Sequence, residues 1–209
     1  MIKPSFLLLF CCLCFQVVLP NNKKETKTIR KNSKIENLKS AYAHILNSQN
    51  LSENEKSFFY NFPNTFQELI GVFGDTATKD PNRFLPSPLY NTSFDFIKMF
   101  FALKTIDPLK KVTRIINISL KGKWDADAVN YFKEGLRLHF KENNKIYIQL
   151  LSNKNDRDIY LFWYFFFDNP HPEEKLPEEL LHLNQSNNRI YTIMLKAHNK
   201  VLLDNKGSH

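Results

Sequence analysis

The chain has 209 residues, 43% of them hydrophobic, a net charge of +8 and only three cysteines. That length and apolar content support one domain with a sizeable core and argue against a disordered or fibrous chain. The charge excludes less than its sign suggests, because residues 23–34 alone hold Lys23, Lys24, Lys27, Arg30, Lys31 and Lys34 against Glu25. Residues 35–209 keep 22 basic and 20 acidic side chains, so no basic face for a nucleic-acid partner is implied.

Lys3 precedes a nearly unbroken apolar run, Ser5–Leu19, which ends at Pro20. A short positive start followed by such a run is the pattern of an export signal, and it falls short of the roughly 20 apolar residues a membrane span needs. Residues 1–20 are therefore read as an export signal, placing the protein in the periplasm, on the outer-membrane surface or outside the cell. All three cysteines, Cys11, Cys12 and Cys14, lie inside that run. Removal of the signal leaves a domain without thiols, which can form neither a disulfide nor a thiolate metal site. Lipidation of Cys11, Cys12 or Cys14 is the alternative, giving a membrane tether through the N-terminus, although no small residue stands before any of them in the usual way. Residues 21–34, basic and rich in Asn and Thr, read as a disordered linker.

From residue 35 onward the apolar positions recur mostly at helical spacing, and residues 35–209 are expected to form a single all-α domain of about seven to nine helices. Ile35, Leu38, Tyr42, Ile45 and Leu46 share one helix face. Ser52-Glu53-Asn54-Glu55 has the form of a capping box opening a second helix, and Thr65-Phe66-Gln67-Glu68 repeats the device for a short third one that stops at Gly74. Residues 74–88, with three prolines, form the longest loop. A periodic segment follows at Leu89–Lys104. Asp107-Pro108 starts a helix to Leu120, with Asp as N-cap and Pro in the first turn. Asp125–Glu142 makes the next helix, with Val129, Phe132, Leu136 and Phe140 on one face and Gly135 inside it at a cost of about 1 kcal/mol against Ala. Ile146–Leu151 also suits a short strand. Asp158–Asp168 (DIYLFWYFFFD) is apolar all round and reads as the central buried helix. A short helix at Pro177–Leu183 and a last one at Arg189–Asp204 complete the domain. Five glycines in the whole chain leave little room for the tight turns of a hairpin-rich fold.

Two polar clusters stand out. In Gly122–Asn130, Asp125 is expected to cap the following helix, Asp127 to sit in its first turn near the positive end of the dipole, and Trp124 to staple the cap. The functional alternative has Trp124, Asp125, Asp127 and Asn130 lining a pocket for a sugar or a cationic group, because indole rings stack on both. In Asp168–Glu174, His171 stands between Pro170 and Pro172 in a stiff extended segment. There Asp168 and His171 are either a rigid turn with a cap or a general acid–base pair. No metal-ligand spacing, serine elbow or phosphate loop occurs in the sequence, and no cofactor is implied.

Three stretches, Phe58–Phe73 (FFYNFPNTFQELIGVF), Lys123–Phe132 (KWDADAVNYF) and Phe162–Pro172 (FWYFFFDNPHP), together resemble uncharacterised exported or lipid-anchored helical proteins of Bacteroidetes-type bacteria. The resemblance implies an envelope address and a helical fold, and no activity. The resulting expectation is a non-enzymatic domain that binds an envelope protein or polymer. The alternative is a hydrolase of envelope polymers working through Trp124, Asp125 and Asp127 together with Asp168 and His171, which requires the two clusters to meet in space.

Overall fold

Helix signals dominate the chain, and the computed structural model, which describes residues 22–48, 50–75 and 85–206, is correspondingly all-α. Residues 1–20 with Cys11, Cys12 and Cys14, and positions 76–84 of the long loop, lie outside the described residues. The elements in order are α1 (Asn22–Leu46), α2 (Leu51–Asn61), α3 (Phe66–Phe73), a 3-10 turn (Tyr90–Thr92), α4 (Ser93–Ala102), α5 (Pro108–Ser119), α6 (Ala128–Ser152), α7 (Asp156–Phe167), the single turns α8 (Glu178–Leu181) and α9 (Leu183–Ser186), and α10 (Asn188–Lys206). Among the described residues the sole β-type pairing is an isolated bridge between Asp75 and Pro86. No helix among them is long and apolar enough to cross a membrane.

Several boundaries differ from the sequence reading, each for a physical reason. α1 begins at Asn22, so residues 22–34 continue a helix where an irregular linker was expected. They contain neither Pro nor Gly, and a helix already anchored by its packed end at Ile35, Leu38 and Ala41 extends by one hydrogen bond per residue added. The Ser52–Glu55 box does not form. The helix starts two residues earlier, behind Asn50 in a left-handed conformation (φ 39°) with no side-chain cap, and Glu55 turns inward instead. By contrast, Thr65 Oγ1 accepts the Glu68 N–H at 3.2 Å and Asp107 Oδ1 accepts the Lys110 N–H at 2.9 Å, as the two cap motifs require. Ile146–Leu151 is helical, continuing α6 past a kink at Asn143 (φ −125°, ψ 22°).

α6 is the hub, packing against α3, α4, α5, α7 and α10, and α7 is sandwiched between α5, α6 and α10. The core is aromatic. Trp163 of α7 is fully buried, with the rings of Phe140, Phe166 and Phe167 at 5.5, 5.4 and 5.8 Å. A second stack joins Phe58, Phe62, Phe96 and Phe100 between α2 and α4.

The charges placed inside this core follow one rule: a cation from a neighbouring helix closes the carbonyl end of each aromatic helix. On α5, Arg114 donates to Phe59 O (2.7 Å) and Phe62 O (3.0 Å) at the end of α2, and Lys111 to Phe101 O (2.6 Å) and Leu103 O (2.9 Å) at the end of α4. On α6, Lys133 donates to Phe165 O, and Arg137 to Phe166 O (3.3 Å), at the end of α7. Unpaired C-terminal carbonyls carry partial negative charge, so a cation there satisfies hydrogen bonding and the helix dipole together. Glu55, 3% exposed, does the converse: its Oε2 accepts the Lys104 N–H (2.9 Å), the Thr105 N–H (2.6 Å) and the Thr105 hydroxyl (2.7 Å).

Candidate functional site

The segment between α5 and α6 is short, polar and held from two sides. Gly122 lies against the Phe165 ring so closely that a Cβ there would meet Phe165 Cδ2 at 2.2 Å, which brings the chain onto the end of α7. Two residues on, the Trp124 backbone N–H donates to Asp168 Oδ2 at 2.6 Å. Asp168 itself ends α7, where its own N–H donates to Tyr164 O at 2.9 Å. At the other end of the segment, Asp127 Oδ2 accepts the hydroxyl of Tyr90, from the 3-10 turn ahead of α4. Hydrogen bonding to Asp127 is the main reason the Tyr90 phenol is pushed up to about 12.

This arrangement revises the expected cap. α6 starts at Ala128, and the N-cap residue is Asp127, with φ 52° and ψ −114° and no side-chain bond to its own helix. The left-handed backbone turns its carboxylate away from the helix N–H groups and toward Tyr90. Among the described residues Asp125 Oδ1 accepts only the neighbouring Ala126 N–H, at 2.8 Å, and so does not cap α6. A non-glycine residue at such a φ/ψ is backbone strain, which the surrounding bonds must offset. Trp124, expected to be stapled inward, is 38% exposed.

The two sequence clusters therefore do meet, through Trp124 and Asp168. They do not assemble as a set. Asn130 lies on the exposed side of α6, in a shallow depression with Glu134, Arg137 and Leu138. His171 is exposed and makes no hydrogen bond or ion pair among the described residues. The histidine that organises this region is His198 of α10, whose Nε2–H donates to Glu173 O at 2.8 Å while its ring packs 4.8 Å from that of Phe167. No group of three or more His, Cys, Asp or Glu among the described residues is placed to hold a metal ion.

Comparison with protein-family models, curated proteins and solved structures found no match. Function rests on the geometry.

Three groups in or beside this region carried no motif. Tyr90 sits in an ordinary Leu-Tyr-Asn-Thr stretch with nothing local to mark it. Lys133 and Arg137 are one turn apart on α6, and Lys133 falls inside the stripe of Val129, Phe132, Leu136 and Phe140, where a charged residue signals a buried partner. Burial pushes the Lys133 ammonium down to about 7, with repulsion from Arg137 adding to the shift and the Asp168 carboxylate opposing it. It lies 4.4 Å over the Phe165 ring, the same ring that Gly122 packs against.

Proposed function

We propose that this protein is an exported, non-enzymatic binding domain of the cell envelope, which presents Trp124 to a protein or polymer partner. The observation that carries the reading is the clamped 122–127 segment with its indole left exposed. Rigid aromatic anchors dominate the energetics of recognition because little side-chain entropy is lost when they dock. Of the carboxylates that could do acid–base work, Asp127 and Asp168 accept hydrogen bonds that fix this segment, and Asp125 accepts the neighbouring Ala126 N–H. The export pattern and the resemblance noted in the sequence support the envelope address. In a comparative pull-down from envelope extracts, the intact protein retains a specific partner and Trp124→Ala loses it with its melting temperature unchanged. Equal retention by both, or background alone, overturns the reading.

A second reading keeps one observation in its favour: the 2.6 Å contact between the Trp124 N–H and Asp168 brings the two clusters together, as a hydrolase of envelope polymers would need. That reading requires Asp127→Asn to abolish release of soluble fragments from purified envelope polymers while the fold persists. Under the binding reading neither protein releases any, and Asp127→Asn changes only the rigidity of the segment.

A further inference from the structure

A second concavity adjoins the Asp168 end of the Trp124 site, where α6 faces the 169–180 segment and α10. It encloses about 440 Å³, within the range of about 300–1,000 Å³ typical of small-molecule sites. Its apolar lining is Leu138, Phe140, Phe166, Phe167, Pro177 and Leu180, the three phenylalanines showing only their ring edges and Leu138 standing exposed. Trp163 lies beneath the three phenylalanine rings, so this floor belongs to the rigid core. One wall is pinned by His198, which is 4% exposed and spends its ring N–H on the backbone of Glu173.

Charge gives the cleft its chemistry. Arg137 and Lys141 stand one turn apart on α6, and Lys175 comes from the 169–180 segment; Glu173 and Glu179 are the acids. None of the five belongs to an ion pair among the described residues, whose four pairs lie elsewhere. Glu173 acts on Arg137, partly offsetting the effect of its burial. That leaves Lys141 and Lys175 against Glu179, an excess of one positive charge over an aromatic floor.

The neighbouring cleft provides the contrast. On the other side of Leu138, which protrudes at 63% exposure, α4 and α6 enclose about 410 Å³ lined by Phe94, Phe101 and Tyr131. Its acids are Glu134 and Glu142, and its cation, Lys98, already lies 5.6 Å over the Phe94 ring. Size and aromaticity are similar while the sign is reversed, so a charged amphiphile distinguishes the two.

We infer that the cleft formed by α6, the 169–180 segment and α10 binds a small amphipathic monoanion, its carboxylate-type head between Lys141 and Lys175 and its apolar body on Phe140, Phe166 and Phe167. The site shares the end of α7 with the proposed Trp124 surface but uses none of its residues. The test is displacement of anilinonaphthalene sulfonate, an aromatic monoanion, followed by fluorescence. The protein binds the probe saturably. Octanoate displaces it at concentrations about tenfold or more below those of octanol or octyltrimethylammonium, the margin expected of one charge-assisted contact. The Lys141→Gln/Lys175→Gln double variant loses that preference, Lys141→Arg keeps it, and Trp124→Ala leaves it untouched. Absence of saturable binding, equal displacement by octanol, stronger displacement by the cation, or an unchanged preference in the double glutamine variant each overturns the inference. Both lysines are exposed, and an unchanged melting temperature in each variant confirms that the fold is not the variable.

Discussion

Replacing Lys133 with alanine is expected to destabilise the domain by about 3 kcal/mol, combining a core cavity with an unpaired buried carbonyl at Phe165. Lys133 is 1% exposed, so water cannot substitute for the missing ammonium at the end of α7. Lys133→Met is expected to cost less, since it keeps the volume and removes the desolvation penalty of a buried charge while leaving Phe165 O unpaired as alanine does. Urea unfolding followed by circular dichroism separates the two; equal losses for alanine and methionine would show that the charge itself is the stabilising element.

The same residue sets a pH dependence whose sign can be worked out. Its folded pKa, about 7, lies below the ordinary lysine value of 10.5, and that of Lys111 is lowered by burial to about 8. Below pH 7 both are protonated folded and unfolded, and the burial penalty is present in full. Above it the folded chain releases protons that the unfolded chain still holds, so stability rises with pH. The rise ends near pH 10. There burial keeps Tyr147 protonated in the folded state while the unfolded chain ionises, and the slope reverses. Unfolding free energy should therefore climb from pH 7 to 10 in the native sequence and climb less in Lys133→Met, where only Lys111 remains. A flat profile in the native sequence would count against neutralisation of either lysine.

Gly135→Ala is expected to destabilise by about 2 kcal/mol although alanine is the better helix former by about 1 kcal/mol. A Cβ at this position would meet Phe101 Cδ2 at 2.3 Å and Cε2 at 2.4 Å. That ring is packed against Phe100, Phe132 and His139, so swinging it into the cleft between α4 and α6 gives up those contacts. Combining Gly135→Ala with Phe101→Leu should recover part of the loss, and a double-mutant cycle would measure the coupling. Additive effects would mean that the ring is free to move aside.

These two sites show what was legible. Lys133 among Val129, Phe132, Leu136 and Phe140, and Glu55 in line with Phe58, Phe59 and Phe62, are charges inside legible apolar stripes, but Glu55 read as part of a capping box and Lys133 carried no motif. What each bonds to is not in the pattern, because the partners are carbonyls and N–H groups of other helices, and any residue type supplies those. Gly135 reads as a weak point in a helix until Phe101 is seen against it. The candidate site divides in the same way. Trp124, Asp127 and Asp168 were singled out by their chemistry, whereas Tyr90 and His198 could not be, and His171 drew attention to a loop that His198 in fact holds.

By itself the sequence determined the helical class, the caps at Thr65 and Asp107, the buried aromatic helix and the separation of a basic N-terminal stretch from a nearly neutral domain. Each follows from local spacing and composition, within a few residues of chain. Only the tertiary structure decided that Asp127 turns from its own helix to Tyr90, that Asp168 holds Trp124 in place, and that cations of α5 and α6 close the ends of α2, α4 and α7. Those contacts join residues 29 to 55 positions apart, apart from the shorter Lys111 links to α4, and depend on where whole helices come to rest. Hydrogen bonds of that range are set by packing of the aromatic core, whose shape no local pattern encodes.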